Sequence, residues 1–393
     1  MKKNTVLILG AGHLAFRLKK YLHKHNYEIL HSTIDDISSK SESVSLVENL
    51  NTYFNNIDIS AIAMVYLLDD KDENNLQLII YFISTYPHLP VTASLFNENI
   101  IPHLKVENDN LKILNPARIA APAFVEQLNI QIRSEAPYAS IISENNKIVK
   151  RQFSLVNQIL LFFVLFLLSA VTFFHFYERL SWIDSFYFVI VTAASVGYGD
   201  INLATSNTAG KLAGVLLIIT STISIWMIFS LTIDSLLKKR IQHAMGRKKY
   251  GFKNHVIVCG LGRLGYFIVE ELLRKNEKVI VIEQNENSNH IDYLRQLGAE
   301  VYVGDARLPK VMVDVNVGKA KALISVISND SLNLEIGLNA RSQHANVKLI
   351  LRIFDDQMAE KIKNFLKIYH TLSASAIADD IFFSELLNRK NKI

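Results

Sequence analysis

The stretch Thr192-Ala-Ala-Ser-Val-Gly-Tyr-Gly-Asp200 decides the fold of this chain, and its central five residues are Ser195, Val196, Gly197, Tyr198 and Gly199. The two glycines lack a Cβ and reach positive φ easily, so consecutive carbonyl groups can turn toward one axis. The valine and the tyrosine can pack on the outside, and the serine adds a hydroxyl at the inner end. A carbonyl ladder of this kind replaces the hydration shell of a cation, and one strand supplies a quarter of the cage. We therefore predict an ion filter at 195–199, formed by four chains.

Two apolar runs flank the filter stretch and are long enough to cross a membrane. Residues 153–177 carry no formal charge apart from His175, and residues 212–233 carry none. At a rise of about 1.5 Å per residue, each run exceeds the hydrocarbon core of about 30 Å. We predict transmembrane helices at 153–177 and 210–233, with a re-entrant pore helix at 182–193 between them. The positive mean hydropathy of +0.18 over 393 residues agrees with a membrane protein.

Basic residues set the predicted orientation of these spans. The clusters outside the two spans are Lys147, Lys150 and Arg151 on one side, and Lys238, Lys239, Arg240, Arg247, Lys248 and Lys249 on the other. The loop between the spans has few basic residues, so the positive-inside rule places both termini in the cytoplasm of a multi-pass protein in the plasma (inner) membrane. The net charge of +5 comes largely from these clusters. They indicate topology and lipid headgroup contacts and no nucleic-acid surface.

A glycine-rich pattern follows the second span. It reads G-x-G-x-x-G between an apolar strand and a helix, with Glu283 placed 18 residues beyond the last glycine. In that context the glycines allow a tight turn, a close approach of pyrophosphate and helix–strand packing. Glu283 would accept from ribose hydroxyls and repel a 2′-phosphate, which favours NAD(H) or an adenine nucleotide over NADP(H). The predicted nucleotide-binding residues are Gly260, Gly262, Arg263, Leu264, Gly265, Glu283 and Asp305. An empty, purely structural Rossmann-like fold is the alternative.

The first 132 residues repeat this pattern in a degenerate form. Residues 5–15 align with the segment around Gly265, and the segments that begin at Asn75 and Asn333 align further on. Such self-similarity indicates a duplicated domain. Thr33 stands at the position of Glu283, so the first copy lacks the ribose acid. It binds a different nucleotide or none, and the residues of this second candidate site are Gly10, Gly12 and His13.

The helix, pore helix, filter and inner helix resemble the pore of two-span potassium channels, and the glycine-rich unit resembles an RCK domain (regulator of potassium conductance). The resemblance covers roughly residues 153–380. It implies an α-helical pore combined with two α/β Rossmann-like RCK N-lobes, with potassium ions in the filter. It also implies a homotetramer in which eight cytoplasmic units, two from each chain, form one gating ring.

The sequence departs from that family at several places. Ser195 replaces the usual threonine, and residues 218–224 contain no glycine hinge, so the position of the gate is open. The C-terminal ligand-binding subdomain of RCK proteins is missing. Some relatives bind calcium, but Ser328-Asn329-Asp330 offers few carboxylates, and calcium prefers several oxygen ligands. Calcium gating is therefore a weak expectation.

The expected function is potassium-selective conduction gated by a cytosolic nucleotide, without enzymatic catalysis. A membrane-anchored NAD-dependent oxidoreductase is an alternative, although no distinctive acid–base pair follows Gly265. A non-conducting regulatory or scaffold subunit is another. The predicted divisions are a Rossmann-like domain at 1–132, a linker at 133–152, the pore domain at 153–240, a linker at 241–253 and the RCK domain at 254–393.

Overall fold

The computed structural model describes residues 5–37, 46–55, 57–105, 109–130, 155–368 and 370–390. The chain divides into two compact units, one formed by residues 1–141 with 245–393 and the other by residues 142–244. The predicted linker at 133–152 lies outside the described residues, as do the basic residues that precede the first span.

The N-terminal half (residues 5–130) is an α/β fold. Its elements are β1 (Thr5–Leu9), α1 (His13–Lys24), β2 (Glu28–Ser32), α2 (Ile34–Ile37), α3 (Leu46–Phe54), β3 (Ile62–Leu67), α4 (Asp72–Thr85), β4 (Val91–Ser94), α5 (Ile101–Lys105), β5 (Leu111–Leu114) and α6 (Pro116–Glu126). The five strands are parallel in the order β2-β1-β3-β4-β5. β1 and β4 are buried along their whole length, as expected for a parallel sheet covered on both faces.

The middle unit contains three helices, α7 (Leu155–Tyr177), α8 (Trp182–Ala193) and α9 (Thr208–Ala244). Two stretches within them, Asn157–Tyr177 and Thr208–Asp234, are long and apolar enough to cross a membrane. The helix α9 continues well beyond the predicted span at 210–233, so the predicted linker at 241–253 begins inside a helix. Leucine, lysine and arginine are good helix formers, and hydropathy marks only the apolar part of such a helix.

The C-terminal half (residues 245–390) is a second α/β fold. Its elements are β6 (Val256–Cys259), α10 (Arg263–Arg274), β7 (Val279–Glu283), α11 (Ile291–Gln296), β8 (Glu300–Val303), α12 (Pro309–Asp314), β9 (Ala322–Ser325), α13 (Asp330–Gln343), β10 (Lys348–Arg352), α14 (Asp356–Leu366), β11 (His370–Leu372) and α15 (Ala374–Lys390). The strands are parallel in the order β11-β10-β9-β6-β7-β8. This order matches the first sheet, with β8 as an additional edge strand.

Equivalent hydrogen bonds recur in the two halves at positions 258 residues apart. The side chain of Asn75 donates to the carbonyl of Ser94, and that of Asn333 donates to the carbonyl of Arg352, each at 2.9 Å. Aspartates at the start of α4 and α13 each accept from two main-chain amides that follow β4 and β10. The two halves are therefore built on the same local plan.

Each half contributes its last helix to the core of the other half. The helix α6 packs on α10, whereas α15 packs on α1. Phe124 of α6 lies in one core with Ile268, and Phe382 of α15 lies in another with Leu18. The buried hydroxyl of Tyr66 donates to the carbonyl of Phe382 at 2.9 Å. The two halves consequently form one unit with exchanged helices.

Candidate functional site

The short helix α8 leads directly into the predicted filter. Its N-terminus is capped because Ser181 Oγ accepts from the main-chain N–H of Asp184 at 3.0 Å. At its other end, the carbonyl of Val191 accepts from the N–H of Val196 at 3.0 Å. The chain thus leaves the helix through hydrogen bonds that tie the start of the filter to the last turn.

The filter backbone alternates in handedness. Positive φ angles of 57°, 60° and 78° occur at Ser195, Gly197 and Gly199, while Val196 and Tyr198 between them keep ordinary φ. This alternation turns consecutive carbonyl groups to one side of the chain, unlike an extended strand. Positive φ costs little at glycine, which accounts for two of the three positions. The described geometry fits the carbonyl ladder that the sequence predicts.

Two side chains of the filter lack cover within a single chain. Val196 is 52% exposed and Tyr198 is 72% exposed. Beside them, the hydroxyl of Tyr187 on α8 donates to Asp200 at 2.9 Å and fixes the outer end of the filter stretch. Large exposed apolar side chains next to an ordered backbone are typical of a surface that another chain covers.

The three glycines after β6 have the roles that the sequence predicts. Gly260 has a φ of 96°, and a Cβ on Gly265 would come within 2.0 Å of the carbonyl oxygen of Gly260. A Cβ on Gly262 would meet no atom within 4 Å. Gly260 makes the turn, Gly265 allows the helix to approach, and Gly262 faces open space at the start of α10. Helix N-termini with free amides bind phosphate groups.

A cavity of about 630 Å³ lies at the carboxyl ends of the strands and is lined by both halves. Its lining includes all seven predicted nucleotide-binding residues except Gly265, which packs beneath it. Leu264 is at its edge, with the side chain buried in the core. The N-terminal half contributes His13, Asp70 and Phe96 among others. Ligands of open α/β sheets bind at such carboxyl ends.

The predicted acids of the cavity are already hydrogen-bonded. Glu283 accepts from the main-chain N–H groups of Leu261 at 2.6 Å and Asn285 at 2.8 Å, which holds its carboxylate beside the glycine turn. Asp305 pairs with Arg307 at 2.7 Å, and this hydrogen-bonded partner lowers the pKa of Asp305. Glu283 is placed where a ribose would lie, whereas Asp305 faces its own ion pair.

Two reciprocal ring contacts cross the cavity. The guanidinium of Arg263 lies 3.9 Å from the ring centre of Phe96, and the ring of His13 lies 4.0 Å from that of Phe354. Arg263 and His13 both begin the first helix of their halves, and the two phenylalanines both follow the fourth strand of the repeat. Arg263 therefore stacks on the opposite half and does not lean over the glycine turn, where the sequence placed it.

The glycine turn of the N-terminal half has no such open space. A Cβ on Gly12 would lie 2.5 Å from a carboxylate oxygen of Asp70, and one on Gly10 would lie 2.5 Å from the N–H of Asp69. Ser328 stands at the position equivalent to Asp70 in the other half. A carboxylate thus occupies the place beside the first glycine turn where a phosphate would need to bind, although His13 does line the shared cavity.

Three cavity residues are absent from the sequence prediction, namely Asp70, Phe96 and Arg352. Phe96 and Asp70 belong to the other half, and only the packing of the two halves brings them to the glycine turn. Arg352 ends a parallel strand, and that position was the available signal for it. Among the described residues, no group of three or more His, Cys, Asp or Glu side chains could hold a metal ion.

Comparison with known proteins supports a two-part chain. Residues 159–238 match the ion-channel family, and residues 256–374 match the TrkA-N domain family. Probable potassium channel protein 2 of Methanocaldococcus jannaschii is 27% identical over 192 residues, which cover 47% of this chain and 55% of the relative. Potassium channel protein 1 of the same archaeon is 30% identical over 191 residues, covering 47% and 56%. The chain spans about half the length of these relatives.

A solved structure shows a similar fold. The crystal structure of the GsuK RCK domain matches with a TM-score of 0.53 and 14% identity, covering 99% of this chain and 78% of that chain. At this identity the likeness concerns the fold alone. The chain therefore joins an ion-channel domain, with two helices long and apolar enough to span a membrane, to a TrkA-N domain of the Rossmann type.

Proposed function

We propose that this chain is the subunit of a homotetrameric, potassium-selective channel gated by a cytosolic nucleotide. One observation carries the proposal, the alternating φ angles at 195–199 directly after a capped pore helix. Rings of carbonyl oxygens from four such segments coordinate potassium in place of water. The exposure of Val196 and Tyr198 supports the tetramer, since neighbouring copies would cover these side chains.

The nucleotide is proposed to bind in the cavity of the C-terminal half. Open space at Gly262, free amides at the start of α10 and the carboxylate of Glu283 support NAD(H) or an adenine nucleotide as the ligand. Gating then follows from a population shift, because a ligand that binds one shape of the cytoplasmic unit better favours that shape. The sequence and the fold leave the sign of the effect open.

The N-terminal half is proposed to be a degenerate second RCK unit. Its strand order, its buried asparagine and its exchanged helix match those of the C-terminal half. Four chains would then supply eight units to one cytoplasmic ring without a separate soluble subunit. Both termini are proposed to be cytoplasmic, with the filter on the outer side of the plasma (inner) membrane.

The test is a planar bilayer recording on purified protein, with potassium on one side and sodium on the other. We expect a reversal potential near the potassium equilibrium value and an open probability that NAD or ADP changes. Glu283→Ala should abolish the nucleotide response and leave the selectivity unchanged. Glu286→Ala removes an exposed acid from the same region and serves as the control.

Each half of the proposal fails on a distinct result. Conduction without discrimination between potassium and sodium would contradict a working filter. Selective current that ignores every nucleotide would contradict the gating ligand. No current under any condition would favour a non-conducting subunit.

A further inference from the structure

Arg352 lines the cavity and has no role in the binding scheme described so far. It ends β10, and its main-chain carbonyl accepts from the side chain of the buried Asn333 at 2.9 Å, which fixes the strand end. Within the described part of the chain, its guanidinium makes no hydrogen bond and no ion pair. A rigidly placed cation therefore presents unused donors to the cavity.

The surroundings of Arg352 leave its charge poorly compensated. Burial lowers the pKa of its guanidinium, and the carboxylates of Asp330 and Asp70 offset this effect only in part. Asp330 already accepts from the amides of Phe354 and Asp355, at 2.8 and 3.0 Å. Arginine stays charged in proteins, and a buried charge without a partner is costly. An anion in the cavity would supply the missing partner.

The position of Arg352 in the sheet defines which part of a nucleotide it could meet. In the order β10-β9-β6-β7, the glycine turn follows β6, and Glu283 ends β7 on one side of it. Arg352 lies on the other side, two strands from β6, or about 10 Å at the usual strand spacing. A ribose held at Glu283 leaves the phosphate chain to run from the turn at Gly262 toward Arg352.

We infer that the cavity selects nucleoside di- and triphosphates, with Arg352 binding the terminal phosphate. The inference rests on the proposed nucleotide function and narrows its ligand. A guanidinium donates paired hydrogen bonds to phosphate, which suits this end of a ligand. A dinucleotide would instead direct its nicotinamide, positively charged when oxidised, toward Arg352. The N-terminal half has Ser94 at the equivalent position and lacks this cation.

The experiment is calorimetric titration of the purified full chain with AMP, ADP, ATP and NAD⁺. Hydrogen bonds to charged groups predict that ADP binds about tenfold to a hundredfold more tightly than AMP. Arg352→Gln should remove this difference and leave AMP affinity unchanged, while Arg352→Lys should keep part of it. Arg274→Gln removes the same charge at an exposed site of the same half and should change neither affinity.

The outcomes separate the inference from the function on which it rests. Equal affinity for AMP and ADP in the unaltered chain, or tighter binding of NAD⁺ than of ADP, would overturn the role of Arg352 while nucleotide binding stands. An equal loss of AMP and ADP affinity in Arg352→Gln would show a structural role only. If no nucleotide binds to the unaltered chain, the proposed gating ligand itself is wrong.

Discussion

A single residue distinguishes the two glycine turns of this chain. Asp70 fills the space beside Gly12, whereas its equivalent Ser328 leaves the space beside Gly262 open. A phosphate carries negative charge and hydrogen-bond acceptors, so a carboxylate at this place repels it and gives no donor in return. The difference explains how one duplicated fold can keep one nucleotide site and close the other.

Ser328→Asp tests this explanation by copying the closed turn into the open one. We expect nucleotide affinity to fall by more than tenfold, because like charges held a few ångströms apart interact by about 1 kcal/mol or more even in water. The measurement is titration with ADP. Asp70→Ser is the reciprocal control and should not weaken binding, since it removes a carboxylate from the cavity lining. Unchanged affinity in Ser328→Asp would place the phosphates elsewhere.

The buried asparagines set the carboxyl ends of the strands. Asn333 accepts from the N–H of Ile327 at 2.9 Å and donates to the carbonyl of Arg352, so it fixes both sides of the cavity floor. Asn333→Ala should lower the free energy of unfolding by about 3 kcal/mol, because several buried polar groups lose their partners. Denaturant unfolding measures the change. The exposed Asn339→Ala should stay within about 1 kcal/mol, and equal effects would contradict the assignment.

Local sequence could predict the glycine turn, but it could not predict the whole cavity. The roles of Gly260, Gly262 and Gly265 follow from the absence of a Cβ and from their spacing between a strand and a helix. The positions of Phe96 and Arg263 depend on the packing of one half on the other, which no local pattern encodes. Arg263 was expected at the phosphates for that reason, and it instead stacks on Phe96.

At the scale of elements, the edge strand β8 has no counterpart in the N-terminal half. The segment that follows α9 binds to this strand. The N–H of Val303 donates to the carbonyl of Met245 at 2.8 Å, and Arg247 Nε donates to the carbonyl of Val303 at 2.7 Å. The same strand leads into Asp305 at the cavity. A change at the cavity can therefore reach the chain that continues from α9.

Gly246→Ala should uncouple ligand binding from gating. Gly246 has a φ of 66°, and a Cβ there would lie 1.9 Å from the carbonyl oxygen of Val301, so alanine must displace the segment from β8. We expect ADP affinity within about twofold of the original, with an open probability that no longer responds to ADP in bilayer recordings. Gly251→Ala is the matched control, since its Cβ would meet nothing within 4 Å. A retained response in Gly246→Ala would exclude this connection.

Hydropathy predicts the apolar helices better than it predicts where they end. The spans at 153–177 and 210–233 correspond to α7 and to the first part of α9. The rest of α9 is amphiphilic and charged, and its helical propensity leaves no trace in a hydropathy profile. The short strand β11 was missed for a different reason, because three residues are too few to show a period.

For the molecule as a whole, the exchange of α6 and α15 makes each half dependent on the other. Phe382 is fully buried in the core of the opposite half, whereas Phe365 on α14 is 79% exposed. Phe382→Ala should lower the free energy of unfolding by about 3–5 kcal/mol, because it leaves a cavity in that core. Phe365→Ala makes the same change at the surface and should cost about 0.5 kcal/mol or less. Similar losses from both variants would contradict the exchanged core.

The contact between α15 and α1 also makes stability depend on pH. Burial raises the pKa of Asp379 to about 6, while the nearby Arg17 opposes this shift and forms an ion pair with Asp356. A carboxyl with a raised pKa binds its proton more tightly in the folded chain than in the unfolded chain. Stability should therefore fall as the pH rises from about 4 to about 6, and the cost of ionising Asp379 should persist above that range.

Asp379→Asn removes this cost, so it should raise the melting temperature at pH 7.5 and leave that at pH 4 nearly unchanged. Asp292→Asn is the control, because Asp292 is 90% exposed on α11 and its neutralisation should not reproduce this difference between the two pH values. Thermal unfolding at both pH values measures the effect. A variant that is less stable at pH 7.5 would mean that ionised Asp379 stabilises the contact through Arg17, and that the charged pair outweighs burial where the two halves meet.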